Sequence, residues 1–291
     1  MPKLMFFAGA IIILLMAITC SKRGKEVLKT YPGGEKQEVA VFTGQGQDRQ
    51  QLSKTGYYRD GAISFEETYV EGELATYRAY WNSGQLKVRR DYGAGQVELE
   101  EYFDSDGALQ LTRQQIKERI AGLSDFKSEP ATADDIVTME TSAGIIKLKL
   151  YTDLTPGHAN NFKKLANYGF YNGTTFHRVV PGFVIQGGDI ASRDPDRGND
   201  GTGDPGYSID AEFNPRPHVK GTLAMARSSA PNSAGSQFYI ALGRLAQLDN
   251  KYTVFGQVIE GLEVVDSIAA AVTDNRDNPI RPQRIIKVRV E

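Results

Sequence analysis

The chain has 291 residues, enough for two domains, with 40% hydrophobic and 24% charged residues and a formal net charge of −2. That near-neutral balance excludes the strongly basic face that nucleic-acid phosphates require. A single cysteine excludes a disulfide framework within the chain, and thirty glycines with fourteen tyrosines favour turns and strands over long helices.

At the amino terminus Lys3 precedes an apolar run over residues 4–18, followed by Thr19-Cys20. A basic start and a short apolar stretch form the pattern of a secretory signal peptide, and the run is shorter than the roughly 20 apolar residues of a membrane-spanning helix. Ala17-Ile18-Thr19-Cys20 resembles a lipobox, where bacterial lipoproteins are cleaved and acylated on cysteine; Thr19 departs from the usual Gly or Ala. The resemblance implies a signal peptide over residues 1–19, lipidation of Cys20, and a bacterial cell-envelope protein held on a membrane by its lipid, facing the periplasm. Residues 20–55 are polar at first, with Gly33-Gly34 and several lysines, and read as the tether.

Between residues 56 and 110 the chain has a period. Gly61, Gly72, Gly84, Gly95 and Gly107 recur every 11 or 12 residues, each preceded at close range by Tyr58, Tyr69, Tyr80, Tyr92 or Tyr102. Such spacing predicts β-hairpins, with each glycine permitting the positive φ of a turn. The pattern resembles bacterial MORN-type repeats. The segment holds no histidine or cysteine, and Glu66, Glu67, Glu98, Glu100 and Glu101 read as solvated strand faces. It is expected to act as a spacer, the alternative being a surface for another envelope component. Residues 111–134 read as a short helix followed by an interdomain linker.

Residues 135–291 begin with two alternating runs separated by Ser142-Ala143-Gly144, a hairpin signal. Thr155-Pro156 is a helix start, with a Thr N-cap and Pro at the first helical position. Ala159, Phe162, Leu165 and Ala166 form the apolar stripe, and Gly169 stops the helix. A second helix is predicted between Gly261 and Thr273, then a closing strand. Many strands with two helices predict a mainly β fold, a barrel with helices against it.

The segment "FHRVVPGFVIQGGD" (residues 176–189) and the segment "GTLAMARSSAPNSAGSQFYIAL" (221–242), flanked in order by "TPGHANNF" and "LDNKYTVFGQVIEGLEVVDSI", resemble the cyclophilin-type peptidyl-prolyl cis/trans isomerases. The resemblance covers more than half of the chain. It implies an eight-stranded antiparallel β-barrel with two capping helices, here preceded by the hairpin repeat region. It also implies an enzyme that accelerates rotation of X-Pro bonds in proline-containing polypeptides and assists folding, with no cofactor.

That chemistry needs no nucleophile, metal or proton shuttle. The amide barrier is close to 20 kcal/mol, and a catalyst must hold proline in an apolar pocket and favour the twisted amide with preorganised dipoles. Arginine, whose fork of donors is rigid and always charged, suits that task. The resemblance makes Arg178 the catalytic donor and Gln186 its holder and a substrate contact. Phe183, Val184 and Tyr239 become the walls of the proline pocket, with Leu248 and Tyr252 at further pocket positions. Ala226, Arg227 and Gln237 flank the peptide backbone. Val184 replaces a common Met, Tyr252 a common His and Arg227 a common Asn. Gln247 stands where cyclosporin-sensitive members carry Trp, so weak inhibitor binding is expected.

His177 reads as a structural neighbour of the site, His158 as an exposed helix residue and His218 as a loop residue. Three histidines without a cysteine in this half speak against a zinc site. The Asp- and Gly-rich loop over residues 189–208 misses the EF-hand spacing and reads as a connection. The competing reading is a proline-binding adaptor or scaffold lipoprotein with little turnover; retention of Arg178, Phe183 and Gln186 favours the enzyme.

Overall fold

The computed structural model describes residues 23–291, so the apolar run and Cys20 lie outside the described residues. Among the described residues no helix is long and apolar enough to cross a membrane. The described residues divide into two compact units, the first ending at Glu100 and the second spanning Glu101–Glu291.

The first sheet is an antiparallel meander in strict chain order. Its strands are β1 (Gly24–Thr30), β2 (Lys36–Thr43), β3 (Gln50–Tyr57), β4 (Ile63–Val70), β5 (Glu73–Tyr80), β6 (Leu86–Gly93), β7 (Gln96–Phe103) and the short β8 (Leu109–Gln110). All five repeat glycines have φ between 76° and 90°, the left-handed region that a side chain rarely occupies, and each sits at a strand-to-strand turn. The tether expected over residues 20–55 differs from what is found, because β1, β2 and most of β3 lie within it. In β2, "KQEVAVFT", the adjacent Val39 and Ala40 are both buried, one on each face, and they are the only fully buried apolar side chains among residues 24–100. Elsewhere cross-strand pairs hold the sheet. Phe65 stacks on Tyr77 at 6.1 Å, Arg78 pairs with Asp91 at 2.6 Å, and Lys54 bridges Glu38 and Glu67.

In the second unit residues 111–134 carry more than a linker. Thr112 caps α1 (Arg113–Ala121) through a reciprocal capping box with Gln115, and Ile116 and Leu123 enter the hydrophobic core. Lys163 ties the end of this segment down by donating to Pro130 O at 3.1 Å and pairing with buried Asp135 at 2.7 Å.

The second sheet is a curled antiparallel sheet. It is built from β9 (Ile136–Thr141), β10 (Gly144–Leu150), β11 (Arg178–Val180), β12 (Val184–Gly187), β13 (Thr222–Met225), β14 (Phe238–Ala241), β15 (Val254–Glu260) and β16 (Ile285–Val290). Their spatial order, β11-β12-β14-β13-β15-β10-β9-β16, departs widely from chain order. The predicted hairpin is present with Thr141 opposite Gly144. Near the two edge strands, Gly173 N and Phe176 N donate to Ile285 O and Gln283 O at 2.7 and 2.8 Å.

The two predicted helices are α2 (Pro156–Tyr168) and α3 (Leu262–Ala269). Phe162 of α2 lies fully buried within 5.6 Å, centroid to centroid, of Tyr171, Phe238 and Phe255, and burying such a ring contributes about 2–3 kcal/mol. Gly169 closes α2 with φ 77°. Thr155 holds the N-cap position without capping, since its hydroxyl donates to Tyr151 O. The free N–H groups of Gly157 and His158 instead reach the Glu212 carboxylate, both at 2.9 Å. His158 is also not exposed: it is 1% accessible, its Nδ1 lies 2.7 Å from the same carboxylate, and burial pulls its pKa down against that partner.

Candidate active site

Strand register decides what faces the site. Arg178 lies opposite Gln186, Gln186 opposite Tyr239, Tyr239 opposite Ala224 and Ala224 opposite Val254. One row therefore crosses five strands on a single face. The neighbouring row, Ile185, Ile240 and Leu223, faces the other way into the main core, because side chains alternate along a strand. The site side carries its own small apolar cluster of Val184, Ala224, Tyr239, Ala241, Leu245 and Val254, with Phe183, Leu248 and Tyr252 packed against it.

A cavity of about 170 Å³ opens on this face. It is lined by Arg178, Phe183, Val184, Gln186, Ala226, Arg227, Tyr239, Leu248 and Tyr252, nine of the residues expected from the sequence. Gln237 lines an adjoining cavity of about 330 Å³ together with Gln186, Ala226 and Arg227. The wall between the two is held by polar contacts. Gln186 Nε2 donates to Gln237 Oε1 at 3.0 Å, and Gln237 Nε2 donates to Gly201 O and Gly203 O at 3.0 and 2.9 Å. Asp189 fixes the same loop by accepting from the N–H groups of Gly201 and Gly203, and burial pushes its pKa up to about 6 against those donors. Asp194, Asp196 and Asp204 in this loop each accept a backbone N–H two residues on, so its acidic composition serves Asx turns.

Tyr239, which lines the cavity, is 5% accessible. Its hydroxyl lies 2.9 Å from His218 Nε2, His218 Nδ1 lies 3.1 Å from Asp249 Oδ1, and Arg244 donates to Asp249 Oδ2. Burial lowers the His218 pKa and favours the neutral ring; Arg244 and His218 hold the Asp249 carboxyl well below its usual range. A neutral His218 that donates to Asp249 and accepts from Tyr239 satisfies the whole chain. This support was missed in the sequence, where His218 read as a loop residue, because no local pattern links positions 218, 239 and 249.

Arg227 and Tyr252, both departures from the common pattern, meet in space. The guanidinium lies 4.6 Å from the Tyr252 ring centroid and donates to the carbonyls of Lys251, Ser228 and Ser229. Arg178 lies 6.0 Å from the Phe183 ring centroid, with its Nε 3.5 Å from Asp277 Oδ2. His177 is 5% accessible, and burial lowers its pKa to about 4, so it stays neutral at physiological pH. The face thus offers an apolar cavity beside the Arg178 guanidinium and the side-chain amides of Gln186 and Gln237.

The family model for cyclophilin-type peptidyl-prolyl cis-trans isomerases matches residues 136–290. The chain belongs to that family. A probable peptidyl-prolyl cis-trans isomerase of Brucella suis is 40% identical over 166 residues, covering 55% of this chain and 85% of the relative. One from Schizosaccharomyces pombe is 41% identical over 152 residues, covering 52% and 96%. The crystal structure of a Cryptosporidium parvum cyclophilin, determined in the presence of the dipeptide Ala-Pro, aligns with a TM-score of 0.50 and 32% identity, over 54% of this chain and 98% of that one. The protein is accordingly a peptidyl-prolyl cis-trans isomerase, and the row from Arg178 to Val254 lies within its cyclophilin-type domain.

Proposed function

We propose that this isomerase accelerates rotation of X-Pro bonds in proteins of a bacterial cell envelope, with Arg178 as the donor that favours the twisted amide. The observation that carries this reading is the gathering of Arg178 and eight other expected residues around one small apolar cavity. Proline sits over Phe183, Val184 and Tyr239, with Leu248 and Tyr252 closing the pocket. As the amide twists, conjugation is lost and the nitrogen's lone pair localises, and the Arg178 guanidinium, donating to that lone pair, stabilises the twisted amide more than the planar ground state. Gln186, Ala226, Arg227 and Gln237 border the path of the peptide chain. The Ala-Pro dipeptide named with the Cryptosporidium relative supports a proline-containing ligand.

Three finer readings belong to the same proposal. The second sheet closes as a barrel with α2 and α3 at its ends, supported by the hydrogen bonds between segments 173–176 and 283–285 and by the buried faces of both helices. Residues 1–19 are a signal peptide and Cys20 carries the lipid, supported by the apolar run and the lipobox-like stretch. The first sheet is a MORN-type spacer or docking surface, supported by its Tyr–Gly period. Mass spectrometry of the mature amino terminus tests the anchor, and an unmodified Met1 terminus overturns it.

The test of Arg178 is isomerisation of a short Ala-Pro peptide by the full chain and by its Arg178→Ala variant. A loss of at least tenfold is expected, about 1.4 kcal/mol of transition-state stabilisation. Parental turnover by the variant removes Arg178 from the role.

A further inference from the structure

The guanidinium of Arg178 makes no hydrogen bond to any other described residue. Among the described residues Asp277 holds the only carboxylate within 4 Å of it, at 3.5 Å from Nε. Gln186, which faces Arg178 across the β11–β12 pair, spends its amide on Gln237. An arginine side chain has many rotamers, and a donor that must meet a developing lone pair works only when its direction is set beforehand.

Asp277 is held in place from several sides. Its φ is 64°, a left-handed conformation rare outside glycine, Asn and Asp. Its carbonyl accepts from Val179 N at 2.8 Å, so its backbone is bonded to the strand that carries Arg178. It sits at the tip of a tight hairpin closed by the Thr273–Pro279 bridge. Within that hairpin the Asp274 carboxylate accepts from Arg276 N and Asn278 N at 2.9 and 3.0 Å. From outside, Arg197 donates to Asn278 Oδ1, to Pro279 O at 2.6 Å and to Ile280 O at 3.1 Å, while Asn278 donates to Asp200 at 2.6 Å. Both partners of the Arg178–Asp277 pair are substantially solvent-exposed, 40% and 48% by side chain, so the pair adds little to folding stability. A strained backbone, a rigid support and an energetically minor ion pair occur together where the guanidinium needs orientation.

We propose that Asp277 is a positioning residue of the isomerase, setting the direction of Arg178 for the twisted amide. The inference rests on the reading of Arg178 as the donor. In peptide isomerisation by the full chain, Asp277→Asn keeps the size of the side chain and its tolerance of positive φ but removes the charge. Asp277→Gly keeps the backbone freedom and removes the side chain. Both are expected to lose about fivefold in kcat with KM unchanged and the melting temperature kept. In the Arg178→Ala background Asp277→Asn is expected to change nothing further, and the Arg178 Nε–Hε resonance should shift in both single variants. Parental kcat in the Asn and Gly variants, or the same fivefold loss in the Arg178→Ala background, overturns the proposal. An Arg178→Ala variant with parental turnover defeats the donor reading itself, a failure separate from that of Asp277.

Discussion

The molecule carries two antiparallel eight-stranded sheets that obtain their order in opposite ways. In the first, each strand pairs with its neighbours in the chain, turns fall on positive-φ glycines, and only Val39 and Ala40 are fully buried among the apolar side chains of residues 24–100. In the second, β11 and β16 form opposite edges, β10 pairs with β15 more than a hundred residues on, and the interior is filled by aromatic and aliphatic side chains. The first sheet is a sum of local hairpins whose residues each contribute modestly. The second concentrates its stability in a shared core, and on the far face of that sheet it can hold a site whose parts come from distant segments.

The widest gap between the two should appear on truncating an aromatic ring. Phe162→Ala is expected to lose about 3–5 kcal/mol in denaturant unfolding, because it leaves a cavity among three other rings. Tyr77→Ala, which removes a stacking partner from Phe65 on an open face, should lose about 1 kcal/mol or less. Equal losses would erase the distinction.

A buried titratable group sharpens it next. His177 has its pKa lowered to about 4 by burial, so the unfolded chain binds a proton that the folded chain refuses between about pH 6.5 and 4. Stability from this group therefore rises with pH through that window and is lost on acidification. Against the parent, His177→Gln should gain about 3 kcal/mol in relative stability between pH 7 and pH 4, read from paired unfolding curves. Asp189 has the opposite sign, since its pKa is raised to about 6 and its ionisation weakens the fold as pH rises from about 4 to 6. An unchanged difference across pH would mean that His177 is not excluded from water.

Smaller still is the effect at the cavity lining. Tyr239→Phe keeps the ring and removes the hydroxyl, leaving buried His218 Nε2 without its partner; a loss of about 1–3 kcal/mol in stability is expected, with a raised KM for the Ala-Pro peptide. The smallest effect belongs to the repeat turns. Gly84 has φ 84° and open space around the position of a Cβ, so Gly84→Ala should lose about 1 kcal/mol through backbone strain alone. A far larger loss would reveal packing at the turns that the open sheet does not display.

What the sequence by itself determined was whatever repeats locally or matches a long ordered pattern. The Tyr–Gly period set the turns of the meander, alternation set the β9–β10 hairpin, and Pro156 and Gly169 bounded α2 because helix ends are local chemistry. The ordered blocks from residue 155 onward pointed to ten candidate site residues, and nine of them line one cavity. Strands β1 and β2 went unread as part of a polar tether, because they bury only two apolar side chains. Other partnerships were decided by tertiary structure alone. Glu212 caps α2 from more than fifty residues away, His218 and Asp249 brace Tyr239, and Asp277 meets Arg178 across almost a hundred residues. A hydrogen bond or ion pair between distant positions leaves no periodicity in the chain; it exists only once strand register and loop closure have brought its two ends within reach.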